Sequence, residues 1–174
     1  LCTPAVKYWV CKRAPNGVVE AMEVLGGNGY VDEGPLGLLY KEIPVNSIWE
    51  GSGNVICLDV LRALTREPES GDALFEELGG SVGLDSRFDA HVRKLRAALD
   101  DGSDLELHAR DLVEQAARAL QGAVLLKAAS AGTGSAAVAE AFCAGRLAAG
   151  SSRHFGTLPR GVDLQTLLER SAIN

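Results

Sequence analysis

Aromatic residues are scarce in this sequence of 174 residues, long apolar runs are missing, and positive charge is in deficit. Aromatics make up only 5%, while Ala and Leu crowd the second half. That balance disfavours a sandwich or barrel and favours helices. The uninterrupted apolar runs are a few residues long, far short of the roughly 20 that span a bilayer, so no membrane segment is expected. Lys and Arg number 17 against 23 Asp and Glu, a net charge of −6. A generic polyanion binder is thereby excluded, though a local basic patch stays open. With 47% hydrophobic and 23% charged residues, wholesale disorder and collagen-like structure are excluded as well. Cys2, Cys11, Cys57 and Cys143 form no C-x-x-C pair, and no His lies at a zinc-like interval from them. A disulfide scaffold of this size would be denser in cysteine. Reduced, partly buried thiols in a cytoplasmic protein are expected, and His91, His108 and His154 stand alone, so no metal site is expected. The length suits about one domain. Yet the chain opens Leu1-Cys2-Thr3, without an initiator Met or a leader pattern, and reads at once as the middle of a helix. A piece of something larger is expected.

Helical spacing dominates what is present. Val6, Trp9, Val10, Val18, Met22 and Leu25 predict a helix over residues 3–25, kinked or broken at Pro15-Asn16-Gly17. Gly26-Gly27-Asn28-Gly29 then ends it. A short helix is predicted over Leu36 to Glu42, stopping before Pro44. A clearer one starts at Ser52 or Gly53, with Val55, Ile56, Leu58, Leu61 and Leu64 as its apolar face. It runs out near Glu67-Pro68. Residues 68–85, rich in Gly, read as a connector around a short helix near Ala73 to Leu78. Arg87 to Leu99 is amphipathic through Phe88, Val92, Leu95 and Leu99. Asp104 to Ala129 is the longest periodic stretch, through Leu105, Leu112, Ala116, Leu120, Val124 and Leu125, with Ser103 or Asp104 as cap. Ser135 to Ala149 continues as an Ala-rich helix, and Leu164 to Ser171 follows Asp163 as its cap. No segment alternates over five or more residues, so the expected fold is all-α.

Three strings within about thirty residues carry the chemistry: Glu23-Val24-Leu25-Gly26-Gly27-Asn28-Gly29-Tyr30, Leu39-Tyr40-Lys41-Glu42, and Ser47-Ile48-Trp49-Glu50-Gly51-Ser52-Gly53-Asn54. The first is a helix ending in bare backbone, where N–H groups can approach a phosphate without Cβ in the way. The third sets Glu50 beside Trp49 and just ahead of a glycine-flanked helix N-terminus. An aromatic wall would desolvate that carboxylate and suit it to general-base work. Taken singly, the first string also reads as a plain helix terminus and the second glutamate as a cap or solvated charge.

Their order and separation resemble the C-terminal domain of flavin-dependent acyl-CoA dehydrogenases, whose pattern runs roughly Q-x-x-G-G-x-G-[YF], R-D and I-[YW]-E-G-[TS]. Leu-Cys-Thr-Pro-Ala, Cys-Lys-Arg, Glu-Ala-Met-Glu-Val-Leu-Gly-Gly and Cys-Leu-Asp-Val-Leu-Arg are similar to the adaptive-response branch of that family. The likeness is close from residue 1 to about 64 and looser beyond 68. It implies a helical dehydrogenase C-terminal domain over residues 1–67 and an appended helical C-terminal subdomain over 68–174. It also implies FAD as cofactor, an acyl-CoA thioester as substrate, and a homotetramer. Glu50 would be the catalytic base, taking the α-proton while the flavin accepts the β-hydride. Gly51, Ser52, Gly53 and Asn54 would contact FAD at the helix N-terminus. Glu23, Gly26 and Gly27 would touch the FAD of a neighbouring subunit, although Glu23 stands where Gln is usual. Lys41-Glu42 replaces Arg-Asp and lacks a bidentate fork.

Members of that branch bind double-stranded DNA through their C-terminal region and respond to alkylation damage, which implies a second reading in which the flavin site is secondary. Residues 68–174 carry eleven Lys and Arg against fifteen Asp and Glu, not the bulk charge of a DNA-binding domain. The local candidates are Arg62, Arg87, Arg93, Lys94, Arg96 and Arg146, with Arg66, Arg153 and Arg160 nearby. They also read as solvated faces and intrahelical pairs such as Asp59 with Arg62.

Overall fold

Helix α1 begins at the second residue and runs unbroken from Cys2 to Leu25 in the computed structural model, which describes residues 1–149 and 155–172. After it come a single turn, α2 (Gly27–Tyr30), then α3 (Pro35–Glu42), a 3-10 turn (Ile43–Ser47) and α4 (Gly53–Arg66). Helices α5 (Pro68–Gly79), α6 (Ser86–Asp101), α7 (Leu105–Ser130), α8 (Ala136–Phe142) and α9 (Leu164–Ser171) complete the order. The chain is all-α, and no strand occurs among the described residues. Two compact units emerge: Leu1–Ser70 with Asp104–Glu114, and Gly71–Ser103 with Gln115–Asn174.

Of the kink or break expected at Pro15 in the first unit, the break is absent, because Pro15 sits inside α1. A proline there removes the donor for the carbonyl four residues earlier, that of Cys11. The Ser47 hydroxyl donates to the Cys11 carbonyl at 3.1 Å and fills the gap. The buried side of α1 also differs from the expected stripe. Ala5, Tyr8 and Cys11 face inward, whereas Val6 and Val10 are exposed. Small side chains let α4 come close: a Cβ on buried Gly53 would lie 2.7 Å from Lys12 Cε. On α4 the inward residues are Ile56, Cys57, Val60 and Leu61, while Val55 points outward. Arg110, from the start of α7, donates through Nε to the Tyr8 hydroxyl at 3.0 Å and so ties that segment to α1.

The second unit packs around Phe88, Leu78 and Leu95, each fully buried. α5 is longer than the predicted Ala73–Leu78 because Pro68 suits the first helical position, where its missing N–H costs nothing. A Cβ on Gly122 of α7 would stand 2.9 Å from Leu147 and 3.1 Å from the Phe88 ring, so α7 is met at close range. In α7 residues 112–117 are all buried, which is why no single stripe marks its inner side, and Val124 from the expected stripe is exposed. The predicted Ala-rich helix over 135–149 is α8 followed by a wider π turn, Cys143–Leu147, where Ala148 N donates to the Cys143 carbonyl. Asp163 caps α9 as expected, and Ser135 caps α8.

Asp85 caps α6 by accepting from the N–H groups of Arg87 and Phe88 at 2.8 and 3.3 Å. The Arg87 guanidinium lies against the same carboxylate, and this pairing holds Asp85 below the usual carboxylate range. A depressed acid stabilises the fold above its unfolded pKa and loses that contribution as pH falls through the folded one. Asp85→Ala should therefore cost about 1–2 kcal/mol at pH 7. The deficit should shrink in thermal melts as the pH falls below the ordinary Asp value of about 3.9. A second melt series tests the Pro15 arrangement. Ser47→Ala should cost about 1 kcal/mol, and nearly nothing once Pro15→Ala has restored the helix's own donor.

Candidate functional site

The loop between the 3-10 turn and α4 is fastened to one face of α1. Lys7 and Cys11 are four residues apart and so lie one turn apart on that face. Ser47 is held at Cys11, and Lys7 Nζ donates to the carbonyls of Trp49 at 3.0 Å and Gly51 at 3.1 Å. Backbone N–H groups of Ile48 and Trp49 both reach the Val45 carbonyl, and the Trp49 indole donates to Asn46 Oδ1 at 3.0 Å. The turn this enforces puts Glu50 at φ 55 and Gly51 at φ 102. Glycine adopts such angles freely, whereas a glutamate is strained there. Strain of this kind gathers at functional positions, where the surroundings over-determine it.

Glu50 is exposed, and Trp49 keeps 55% of its surface open. The expected desolvation by the indole is therefore not supplied by this chain. Directly after Glu50, α4 starts with Ser52 as its N-cap residue, and the Ser52 side chain makes no capping bond. The first N–H groups of α4 thus remain open donors at the positive end of the helix. Ser52 and Asn54 are exposed, and Gly53 is buried against Lys12 and Tyr8.

Gly26 ends α1 at φ 58, and neither Gly26 nor Gly27 has any atom within 4 Å of where a Cβ would stand. Exposed Glu23 and these glycines line an open groove of about 750 Å³ with Val19, Met22, Tyr30 and Tyr40. This group and the Glu50 loop belong to one unit but not to one place. Lys7 and Glu23 are separated by roughly 24 Å of helix rise. Lys41 pairs with Asp32 at 2.7 Å in the open, and that carboxylate raises its pKa. The open donors of α4 beside Glu50 suit a polar ring edge such as a flavin's, whereas the bare backbone at Gly26-Gly27 stands at the negative end of α1 beside exposed Glu23.

Sequence reasoning overlooked Lys7, Ser47 and Asn46, the residues that shape the Glu50 loop. Only Pro15 signalled them, by implying an open carbonyl at Cys11. Cys11, Cys57 and Cys143 are buried and Cys2 is exposed; burial pushes Cys57 up to about 11 and Cys143 up to about 12. No group of three metal-ligating side chains occurs among the described residues. No described helix is long and apolar enough to cross a membrane.

The four basic candidates of α6 do not share one face. Arg62 pairs with Asp59 at 2.6 Å, the intrahelical alternative anticipated from their spacing. At about 100° per residue, Arg87 and Lys94 share one flank of α6, Arg96 takes the other, and Arg93 faces away from the core. Arg87 is bound to Asp85, and the Arg96 guanidinium stacks 4.0 Å from the Phe75 ring centroid. Arg146 sits in the π turn, where its carbonyl accepts from Arg118 Nη1 at 3.0 Å. Arg153 and His154 lie outside the described residues.

Residues 2–65 match the model of the acyl-CoA dehydrogenase C-terminal domain. AidB of Escherichia coli is 54% identical over 99 residues, covering 57% of this chain and 18% of that protein. Acyl-CoA dehydrogenase family member 11 of Caenorhabditis elegans is 32% identical over 122 residues, covering 70% of this chain and 19% of that protein. The crystal structure of Caenorhabditis elegans ACDH-11 in complex with C11-CoA superposes with a TM-score of 0.71 at 27% identity, over 83% of this chain and 28% of that one. The chain thus spans about a fifth of the length of the curated relatives it matches.

The strain at Glu50 yields a measurable consequence. Glu50→Gly should raise stability by about 0.5–1 kcal/mol, since the relieved backbone outweighs glycine's extra unfolded-state entropy. A melting temperature unchanged or lowered would show that the left-handed turn costs nothing.

Proposed function

We propose that this chain, which carries an AidB-like C-terminal domain of the acyl-CoA dehydrogenase family, supplies the base and part of the cofactor seat of a flavin-dependent acyl-CoA dehydrogenase. The observation that carries this is the braced left-handed turn at Glu50, immediately before an uncapped helix N-terminus. A rigid turn presents the carboxylate at a fixed point, as a base abstracting a weakly acidic C–H proton requires. Glu50 takes the α-proton of an acyl-CoA thioester. FAD, when bound, accepts the β-hydride. Gly51, Ser52, Gly53 and Asn54 hold the flavin side of that site through the open donors of α4. Exposed as Glu50 is in this chain, exclusion of water falls to the acyl chain and to protein outside these residues.

The separation of Glu23, Gly26 and Gly27 from Glu50 supports their use on a second subunit's FAD, in a homotetramer. Val24 at 85% exposure, Tyr30 at 74% and Ile48 at 69% leave apolar surface on this unit for such contacts. DNA contact by Arg62, Arg87, Arg93, Lys94, Arg96 and Arg146 has weaker support, because the cations point several ways and two are held by carboxylates.

In the full-length flavin-loaded protein, Glu50→Gln should stay yellow while its bleaching by acyl-CoA slows by about 10²–10⁴-fold. Stopped-flow absorbance reads both. Bleaching at the native rate would remove Glu50 from the mechanism.

A further inference from the structure

We infer that Lys7 is the positioning residue for Glu50, an inference that rests on Glu50 being the base. Its ammonium is one group touching two carbonyls, Trp49 O at 3.0 Å and Gly51 O at 3.1 Å. These belong to the peptide units on either side of the Glu50-Gly51 pair. Holding the peptide planes on both sides of the pair limits the dihedral angles open to Glu50 between them, and with them the direction in which Cβ and the carboxylate leave the backbone. The angle it holds, 55°, is one that glutamate avoids unaided. Gly51 beyond it, at 102°, offers no resistance to collapse of the turn.

The other fastenings of the loop act before Glu50. Ser47 is tied to α1 at Cys11, and the Trp49 ring is tied to Asn46. Neither restrains the peptide after Gly51. Lys7 is the described side chain that bonds the backbone on both sides of Glu50, and it does so from the second turn of α1. A lysine is suited to this because its three ammonium donors can be shared between divergent acceptors. Two neutral carbonyls accept them. Lys7 thus aims the base without touching the substrate.

The experiment uses the full-length flavin-loaded protein and three variants, Lys7→Met, Lys7→Arg and Glu50→Gln. Lys7→Met should slow flavin reduction by acyl-CoA by about ten- to a hundredfold, the range a small misplacement of a reacting group produces. KM should change less than about threefold, since binding contacts are untouched. Lys7→Arg, which keeps charged donors, should recover most of the rate. In the flavin-free protein, amide hydrogen exchange over residues 47–54 should accelerate in Lys7→Met while the global melting temperature holds. Adding Lys7→Met to Glu50→Gln should slow the residual rate no further, because the two act through one group.

Native-like reduction in Lys7→Met, with Glu50→Gln inactive, would overturn the role of Lys7 and leave the base assignment standing. Equal losses of rate and of melting temperature in Lys7→Met and Lys7→Arg would overturn it as well, by making Lys7 a general prop of the fold. Full activity in Glu50→Gln would bring down the base assignment, and this inference with it.

Discussion

A proline inside a helix leaves one carbonyl without its donor, and in α1 that carbonyl is Cys11's. The hydroxyl of Ser47 takes the vacant acceptor, which fixes where the segment after the 3-10 turn must run. Lys7, one turn earlier on the same face, then captures the next stretch through two further carbonyls. With both ends of the loop held against α1, the chain enters α4 through the left-handed turn at Glu50 and Gly51. Gly53 completes the approach by leaving room for Lys12 and Tyr8. The position of Glu50 is in this sense a consequence of backbone hydrogen bonding in a neighbouring helix.

Much of this architecture could be read from the residues. Gly26 ends α1, Asp163 caps α9, and the spacing of α6 and α7 gave their extents to within about two residues, as helix boundaries allow. Two kinds of information were illegible. Pro15 reads as a kink or break, because its local effect is visible in sequence but the compensating hydroxyl lies 36 residues away. Apolar stripes on α1 and α4 were also read as inward faces, yet Val6, Val10 and Val55 point out while Ala5, Tyr8 and Cys57 point in. Close helix approach selects small residues such as Ala5, and Tyr8 is turned in where its hydroxyl meets Arg110.

At the site, the identity of Glu50 and of the glycines around it was visible from the order of the strings. Its surroundings were not. Trp49 adjoins Glu50 in sequence, and adjacency suggested a desolvating wall. The indole instead leans back to Asn46 and remains open. The charged candidates show the same limit. Four basic residues within ten looked like a patch, but helical rotation spreads them round α6, and Asp85 and Phe75 engage two of them.

Because Lys7, Cys11 and Pro15 fall at intervals of four, the stretch they bracket works as a measured length. One inserted residue would rotate everything before it by about 100° and shift it about 1.5 Å along the axis. The ammonium would then be carried away from its carbonyls while Ser47 stayed at its own. Substitutions on the outward side of α1, at Val6 or Val10, disturb none of these bonds. This stretch of helix is free to vary in its letters on one side and is bound everywhere in its count.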